Sequence, residues 1–361
     1  MKKLTINKKS YGNFATYGFV ILAYVILQVM TSGGMISSTL KGQLVPICAY
    51  VVMALALNLT VGILGELSLG HAGFMSVGAF AGAVAASALQ NAIPMGGLRL
   101  AIAMVIGAIF AGIAGVLIGV PVLRLNGDYL AIVTLAFGEI IKSLMNNLYI
   151  GMDGKGLHSS FINNTISLGE GGRMIMSGPM GIPSIAKVST FTAGFILIMI
   201  ALFVIFNLVN SRTGRAIMAL RDNRIAAESV GINVTQYKLT AFVISAALAG
   251  AAGTLFAMGQ NTIIASKFDF NTSILILVFV VLGGMGNIRG SIIAAAALTI
   301  LPELLREYAD YRMLVYAIVL IVVMLVTNNP KIKPMATKFW NEKIVPKLPG
   351  KKGKEGVVNG K

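Results

Sequence analysis

Residues 210–237 read NSRTGRAIMALRDNRIAAESVGINVTQY, the one long polar interruption in the second half of the chain. Strongly apolar segments flank it on both sides, so the chain leaves an apolar phase here and re-enters it. The stretch carries Arg212, Arg215, Arg221 and Arg224 against Asp222 and Glu228. It also has a helical grammar of its own. Asn223 is a helix N-cap residue type, Ala226 and Ala227 favour the helix that follows, and Gly231 suits a left-handed stop. A structured basic loop between two membrane spans is suited to docking something in the cytoplasm.

The composition agrees with that reading. Of 361 residues 56% are hydrophobic and only 12% are charged, with a mean hydropathy of +0.83. Soluble domains are nearer a quarter charged, so the class is a polytopic, all-α membrane protein. The net charge of +16 lies at the two ends and in loops, not in a basic stripe, which argues against a nucleic-acid partner. A single cysteine, Cys48, excludes an intrachain disulfide and a cysteine metal cluster. The 41 glycines suit helices that approach closely or break where a path is needed.

A bilayer core about 30 Å thick needs about 20 apolar residues per helix. That ruler gives ten spans, near 14–31, 44–64, 68–89, 98–120, 129–150, 190–209, 238–258, 271–286, 290–305 and 313–327. The first follows a basic segment, 1–13, and is long for a signal sequence, so it is read as a span that stays. The eighth and ninth are short and joined by a tight turn, GGMGNIRGS, which suits a broken or re-entrant pair. With the N-terminus inside, 20 of the 29 Lys and Arg residues fall on the cytoplasmic side and 9 outside. The positive-inside rule then places both termini and the 210–237 loop in the cytoplasm. The Gly-, Ser- and Asn-rich loop 151–189 falls outside, long enough for a short helix or a partner contact. The lysine-rich tail 328–361 is read as a cytoplasmic end that lies on anionic headgroups or is disordered. Ten spans admit a five-plus-five inverted repeat, although no internal self-similarity supports one.

No catalytic, metal-binding or nucleotide-binding motif is present. If transport runs uphill on ATP, another subunit supplies the hydrolysis and this chain binds no cofactor. Polar residues inside spans are the better signal, because lipid tolerates them poorly. Asn58, Thr60, Glu66, Ser68 and His71 lie in a stretch with Gly62, Gly65, Gly70, Gly73 and Gly78. Two readings compete there: a wall or gate of a translocation path, or a Gly-rich packing turn whose His71 and Glu66 bond to backbone. A second set is Asp128, Tyr129, Thr134, Glu139 and Lys142. Glu139 and Lys142 sit three apart and can pair on a helix, while Thr134 and Glu139 can also line a path.

Five stretches together carry a family resemblance: LNLTVGILGELSLGHAGFMSVGAF at 57–80, VLRLNGDYLAIVTLAFGEIIK at 122–142, SGPMGIPSI at 177–185, the run 216–257, and VVLGGMGNIRGSIIAAAALTILPELLR at 280–306. In that order they resemble the permease subunits of bacterial ABC importers for branched-chain amino acids, and among the two paralogues the M-type subunit. The resemblance implies a paralogous permease partner, two cytoplasmic ATPase subunits that use ATP, an extracytoplasmic substrate-binding protein, and residence in the bacterial inner membrane. It gives 210–237 the role of a coupling loop, with Arg215, Arg221, Arg224, Ala226, Ala227, Glu228 and Gly231 as docking residues and 14–327 as the permease domain. The loop is similar to the EAA-x3-G pattern of importers at Ala226, Ala227 and Gly231, with Ile225 where the pattern has Glu. A urea or amide importer of the same family, a secondary transporter, and a membrane receptor or scaffold are the alternatives.

Overall fold

The computed structural model describes residues 8–90, 92–123, 128–153, 156–162, 166, 168, 172–183, 185–305, 314, 317, 318 and 321, with the backbone alone at 8–12 and 128. The chain divides into two compact units, Met1–Glu303 and Leu304–Lys361. In the second, Leu304, Leu314, Ala317, Ile318 and Ile321 are helical. The span expected at 313–327 otherwise lies outside the described residues, as does the tail 328–361.

The helices are α1 (Lys8–Ser32), α2 (Ser38–Asn58), α3 (His71–Ala88), α4 (Gly96–Val122), α5 (Asp128–Asn146), α6 (Phe191–Asn210), α7 (Arg212–Asp222), α8 (Arg224–Ser229), α9 (Val234–Ala257), α10 (Phe270–Gly283) and α11 (Ile288–Leu304). Local chemistry sets many of their starts. Ser37, Thr190, Asn233 and Asp269 each accept a backbone N–H three residues on, capping α2, α6, α9 and α10. Seven of the described helices are long and apolar enough to cross a membrane, and they coincide with the first seven expected spans. At a rise of about 1.5 Å per residue, the 14 residues of α10 reach only about 21 Å, and the 17 of α11 about 25 Å. The described residues of both fall short of a hydrocarbon core about 30 Å thick. Gly284 and Gly286, both at positive φ, make the turn between them.

The centre of the bundle is where α3, α4 and α9 meet. A Cβ on Gly78 would overlap the Gly250 backbone, one on Gly107 would overlap the Thr254 hydroxyl, and one on Gly250 would overlap Ala111. The Thr254 hydroxyl donates to the Gly78 carbonyl at 2.8 Å. Lipid is as apolar as a leucine, so helices in a bilayer gain by close backbone approach and not by hiding apolar area. Small residues at these crossings provide that approach. Helix α2 is largely buried from Leu44 onward, whereas α1 is largely exposed, and α4 and α6 turn Val105, Ile109, Ile113, Leu117, Ile200 and Phe203 outward.

The loop after α5 departs from expectation. The fifth span ends at Asn146 and not near 150, because Leu148–Asp153 (β1) pairs with Gly156–Phe161 (β2) and Arg173–Ser177 (β3) in an antiparallel sheet of order β2-β1-β3. Tyr149 and Ile150 suit an extended strand, and glycines flank the strands. A helical turn of three residues, Gly178–Met180, follows β3. Ile182 and Ile263 then exchange backbone hydrogen bonds of 3.0 and 3.2 Å, tying this loop to the segment after α9.

Candidate functional site

Helices α7 and α8 form the loop at 210–237. Ser211 caps α7 through Gly214 N at 3.1 Å, and Asn223 ends α7 while capping α8 through Ala226 N at 3.0 Å. Gly231, at φ 84°, stops α8 in the left-handed conformation. Leu220, Ala227 and Val234 form a small buried core with Ile232 and Tyr237 packed against it. Arg215, Arg221, Arg224, Ala226, Glu228 and Gly231 are exposed, but Ala227 is 4% exposed and points into this core. Any docking role for Ala227 therefore acts through the position of α8. The tips of the loop are apolar instead: Ile225 is 79% exposed and Val230 75%. Arg224 pairs with Glu228 one turn on, and Arg215 donates to the Asn210 carbonyl.

Arg221 reaches inward. Its Nη1 donates to the carbonyl of Gly62 at 3.0 Å, and its stem crosses Gly65, where a Cβ would overlap it. Both glycines belong to the break between α2 and α3. There α2 widens into a π-helical turn, Leu59–Leu64, which ends at Gly65 with φ 82°. The turn between α10 and α11 rests on the same place. Gly286 N donates to Asn58 Oδ1 at 2.8 Å, and a Cβ on Gly62 would overlap Gly286. Lys238, at the start of α9, forms an ion pair with Glu66 just beyond the break, the two side chains being 7% and 13% exposed. The π turn thus receives α7, α9 and the α10–α11 turn at once.

His71 closes the break on its other side. Its Nδ1 lies 2.9 Å from the Ser68 hydroxyl and its Nε2 lies 2.7 Å from that of Ser245, with Thr60 Oγ1 at 3.4 Å. Ser245 donates its single proton to the Ala56 carbonyl at 2.5 Å. Nε2 must therefore donate to Ser245, which leaves Nδ1 to accept from Ser68. Both ring nitrogens are met, and Phe74 and Phe242 flank the ring edge-on. Thr134 is likewise engaged: Leu69 N donates to its hydroxyl at 3.1 Å, and that hydroxyl donates to Ala131 O at 3.0 Å. A Cβ on Gly70 would overlap the Thr134 carbonyl. Asn58, Thr60, Ser68, His71 and Thr134 are all at most 1% exposed. They pin α2, α3, α5 and α9 together around the break. Asn58 alone keeps an unpartnered atom there, its Nδ2. Glu139 lies apart, 41% exposed and paired with Lys142, as the spacing suggested.

Three residues of this node carry weight that sequence reasoning did not give them. Lys238 counts there as a loop cation, Ser245 is one serine in an apolar helix, and Gly286 is one glycine in a turn. The signal for Lys238 was an acid, Glu66, stranded in a Gly-rich break without a nearby cation in sequence.

Comparison with known proteins meets this geometry. Residues 39–325 match the family described as "Branched-chain amino acid transport system / permease component". Over 287 residues the chain is 39% identical to the high-affinity branched-chain amino acid transport system permease protein LivM of Salmonella typhimurium and to that of Escherichia coli K12, covering 76% of this chain and 66% of each relative. It is 26% identical over 322 residues to LivH of Escherichia coli K12, covering 83% of this chain and 93% of that relative. The aligned chain thus spans just under two thirds of the LivM relatives' length. No solved structure matches the chain. A chain matched over most of its length, with helices long enough to cross a bilayer and a packed break between α2 and α3, belongs to the branched-chain amino acid transport system permease family.

Proposed function

We propose that this chain is the membrane-spanning permease subunit of an ATP-driven importer that carries leucine, isoleucine and valine across the bacterial inner membrane. Its path forms with a paralogous permease, a pairing that the likeness to both LivM and LivH supports. Two cytoplasmic ATPase subunits bind and hydrolyse ATP, so the chain itself holds no cofactor, and an extracytoplasmic binding protein delivers substrate. Both termini lie in the cytoplasm, as the lysine and arginine placement favours.

One observation carries the reading: the α7–α8 loop presents an apolar tip outward while Arg221 ties its inner face to the π turn at Gly62. An ATPase that seats Ile225 and Val230 in a cleft then moves the loop as a unit, because the Leu220–Ala227–Val234 core makes it rigid. The motion reaches the α2–α3 break and, through Lys238 and Asn58, helix α9 and the α10–α11 turn. A rocking of these helices would open and reclose the path by alternating access. Ile225 replaces the acidic handle of the wider importer loop, so seating depends on shape and apolar contact.

Co-purification from mild detergent tests the assembly. An ATPase subunit and a second permease are expected with this chain, and recovery of the chain alone would overturn the reading. Uptake with the cognate binding protein, with leucine, isoleucine, valine and urea in competition, tests the substrate. Urea displacing leucine would replace the branched-chain reading with an amide importer.

A further inference from the structure

Away from the coupling node, a cavity of about 120 Å³ lies between the end of α3, the start of α4, β3 and the segment after it, lined in part by Arg99, Arg173, Gln90 and Ser87. Arg99 stands in the first turn of α4, near a helix end, where an arginine ordinarily extends its head to the water interface. Here the side chain is covered instead. It is 6% exposed, it lines the cavity, and its Nε has no hydrogen-bond partner. Arginine stays protonated in proteins, so this is a buried cation with an unmet donor beside an open space. Buried charges without partners are expensive and mark places where a counter-charge belongs.

The rest of the lining says which counter-charge. Arg173 is fixed at the rim, Nη1 donating to Gln90 Oε1 at 3.2 Å and Nη2 to Ser87 O at 2.8 Å. The floor is apolar and buried, made by Ala86, Ile175, Ile182 and Met258. No aspartate or glutamate is among the lining residues. A planar guanidinium matches a carboxylate with two parallel hydrogen bonds. An apolar floor suits a short hydrocarbon chain, whereas phosphate needs donors around all its oxygens. The lack of an acid leaves an ammonium group without an ionic partner.

We propose that this cavity is a binding site for a short aliphatic carboxylate, its carboxylate on Arg99 and its chain against Ile175, Ile182 and Met258. The branched-chain amino acids fall within that class by their carboxylate and side chain, but their ammonium adds nothing to binding here. The site does not depend on the importer reading, because it can be measured on the chain alone.

The test is ligand-observed NMR and calorimetry on the full chain in detergent micelles, with 4-methylpentanoate, leucine, leucinamide and inorganic phosphate as probes. Saturable binding of 4-methylpentanoate is expected, at least as tight as that of leucine, with leucinamide and phosphate much weaker. Arg99→Gln should weaken 4-methylpentanoate about tenfold or more, the loss expected for a charge-assisted hydrogen bond. Ala86→Leu, which fills the floor and leaves the charge, should weaken it as well. Leucinamide or phosphate binding as tightly as 4-methylpentanoate overturns the proposal. So does the absence of saturable binding below about 10 mM, or unchanged binding in a well-folded Arg99→Gln. Should that variant fail to give a monodisperse protein, Arg99→Lys and Ala86→Leu decide, and unchanged binding in both overturns the site.

Discussion

Replacing Arg221 by alanine tests whether force passes from the α7–α8 loop into the bundle. The side chain makes one long-range hydrogen bond, Nη1 to Gly62 O at 3.0 Å, and its stem covers Gly65. A hydrogen bond from a charged donor contributes about 1.5–3 kcal/mol. The side chain is 41% exposed, so solvent screening brings the attachment to about 1–2 kcal/mol. The second partner, Asp222, is 70% exposed and adds about 0–1 kcal/mol. Losing the bond to Gly62 thus shifts the attached-to-detached ratio of α7 on the π turn by about 5- to 30-fold. In proteoliposomes that hold the full importer, Arg221→Ala should keep much of its ATP hydrolysis and lose several-fold in substrate moved per ATP. Arg221→Lys, which keeps a donor, should fall between, and Asp222→Ala should match the parent chain. An Arg221→Ala importer with an unchanged ratio of uptake to hydrolysis would refute transmission through Gly62.

Three further changes probe the same frame. Ala227→Asp places a carboxylate in the core of Leu220 and Val234; it should loosen the loop by about 1–3 kcal/mol and uncouple hydrolysis from uptake, with membrane insertion intact by protease accessibility. Lys238→Ala strands Glu66 at 13% exposure and should cost about 3–5 kcal/mol in thermal stability; adding Glu66→Gln should restore most of that, and an equal loss in the double variant would dismiss the pair. Gly250→Leu forces a side chain into Ala111 and the Gly107 backbone and should lower the melting temperature by an overpacking cost of about 1–3 kcal/mol or more, whereas Gly97→Leu, in open space, should not.

The helical membrane class was legible because lipid imposes a length and a hydropathy that composition cannot hide. The first seven spans, the helical loop at 210–237 with its Asn223 and Gly231 signals, and the Glu139–Lys142 pair follow from periodicity and local caps, which act within a few residues. The sheet at 148–177 was not legible, since a Gly-rich run between strands of five or six residues gives no lasting period and pairing is non-local. The length of α10 was legible as a shortfall, but the turn's purchase on Asn58 was not.

Sequence alone thus determined that the chain lies in a membrane, where it turns, and that Asn58, Thr60, Ser68, His71 and Thr134 are unusual residues for their surroundings. It left open whether these line a path or close a break. Tertiary structure decided that Ser68, His71 and Thr134 spend their polar groups on hydrogen bonds between the break, α3, α5 and α9, and that Arg221, Lys238 and Gly286 converge on one π turn. The physical reason is that the hydrogen bonds and the ion pair of this node depend on partners up to 228 positions away, and no local propensity records which of them will arrive.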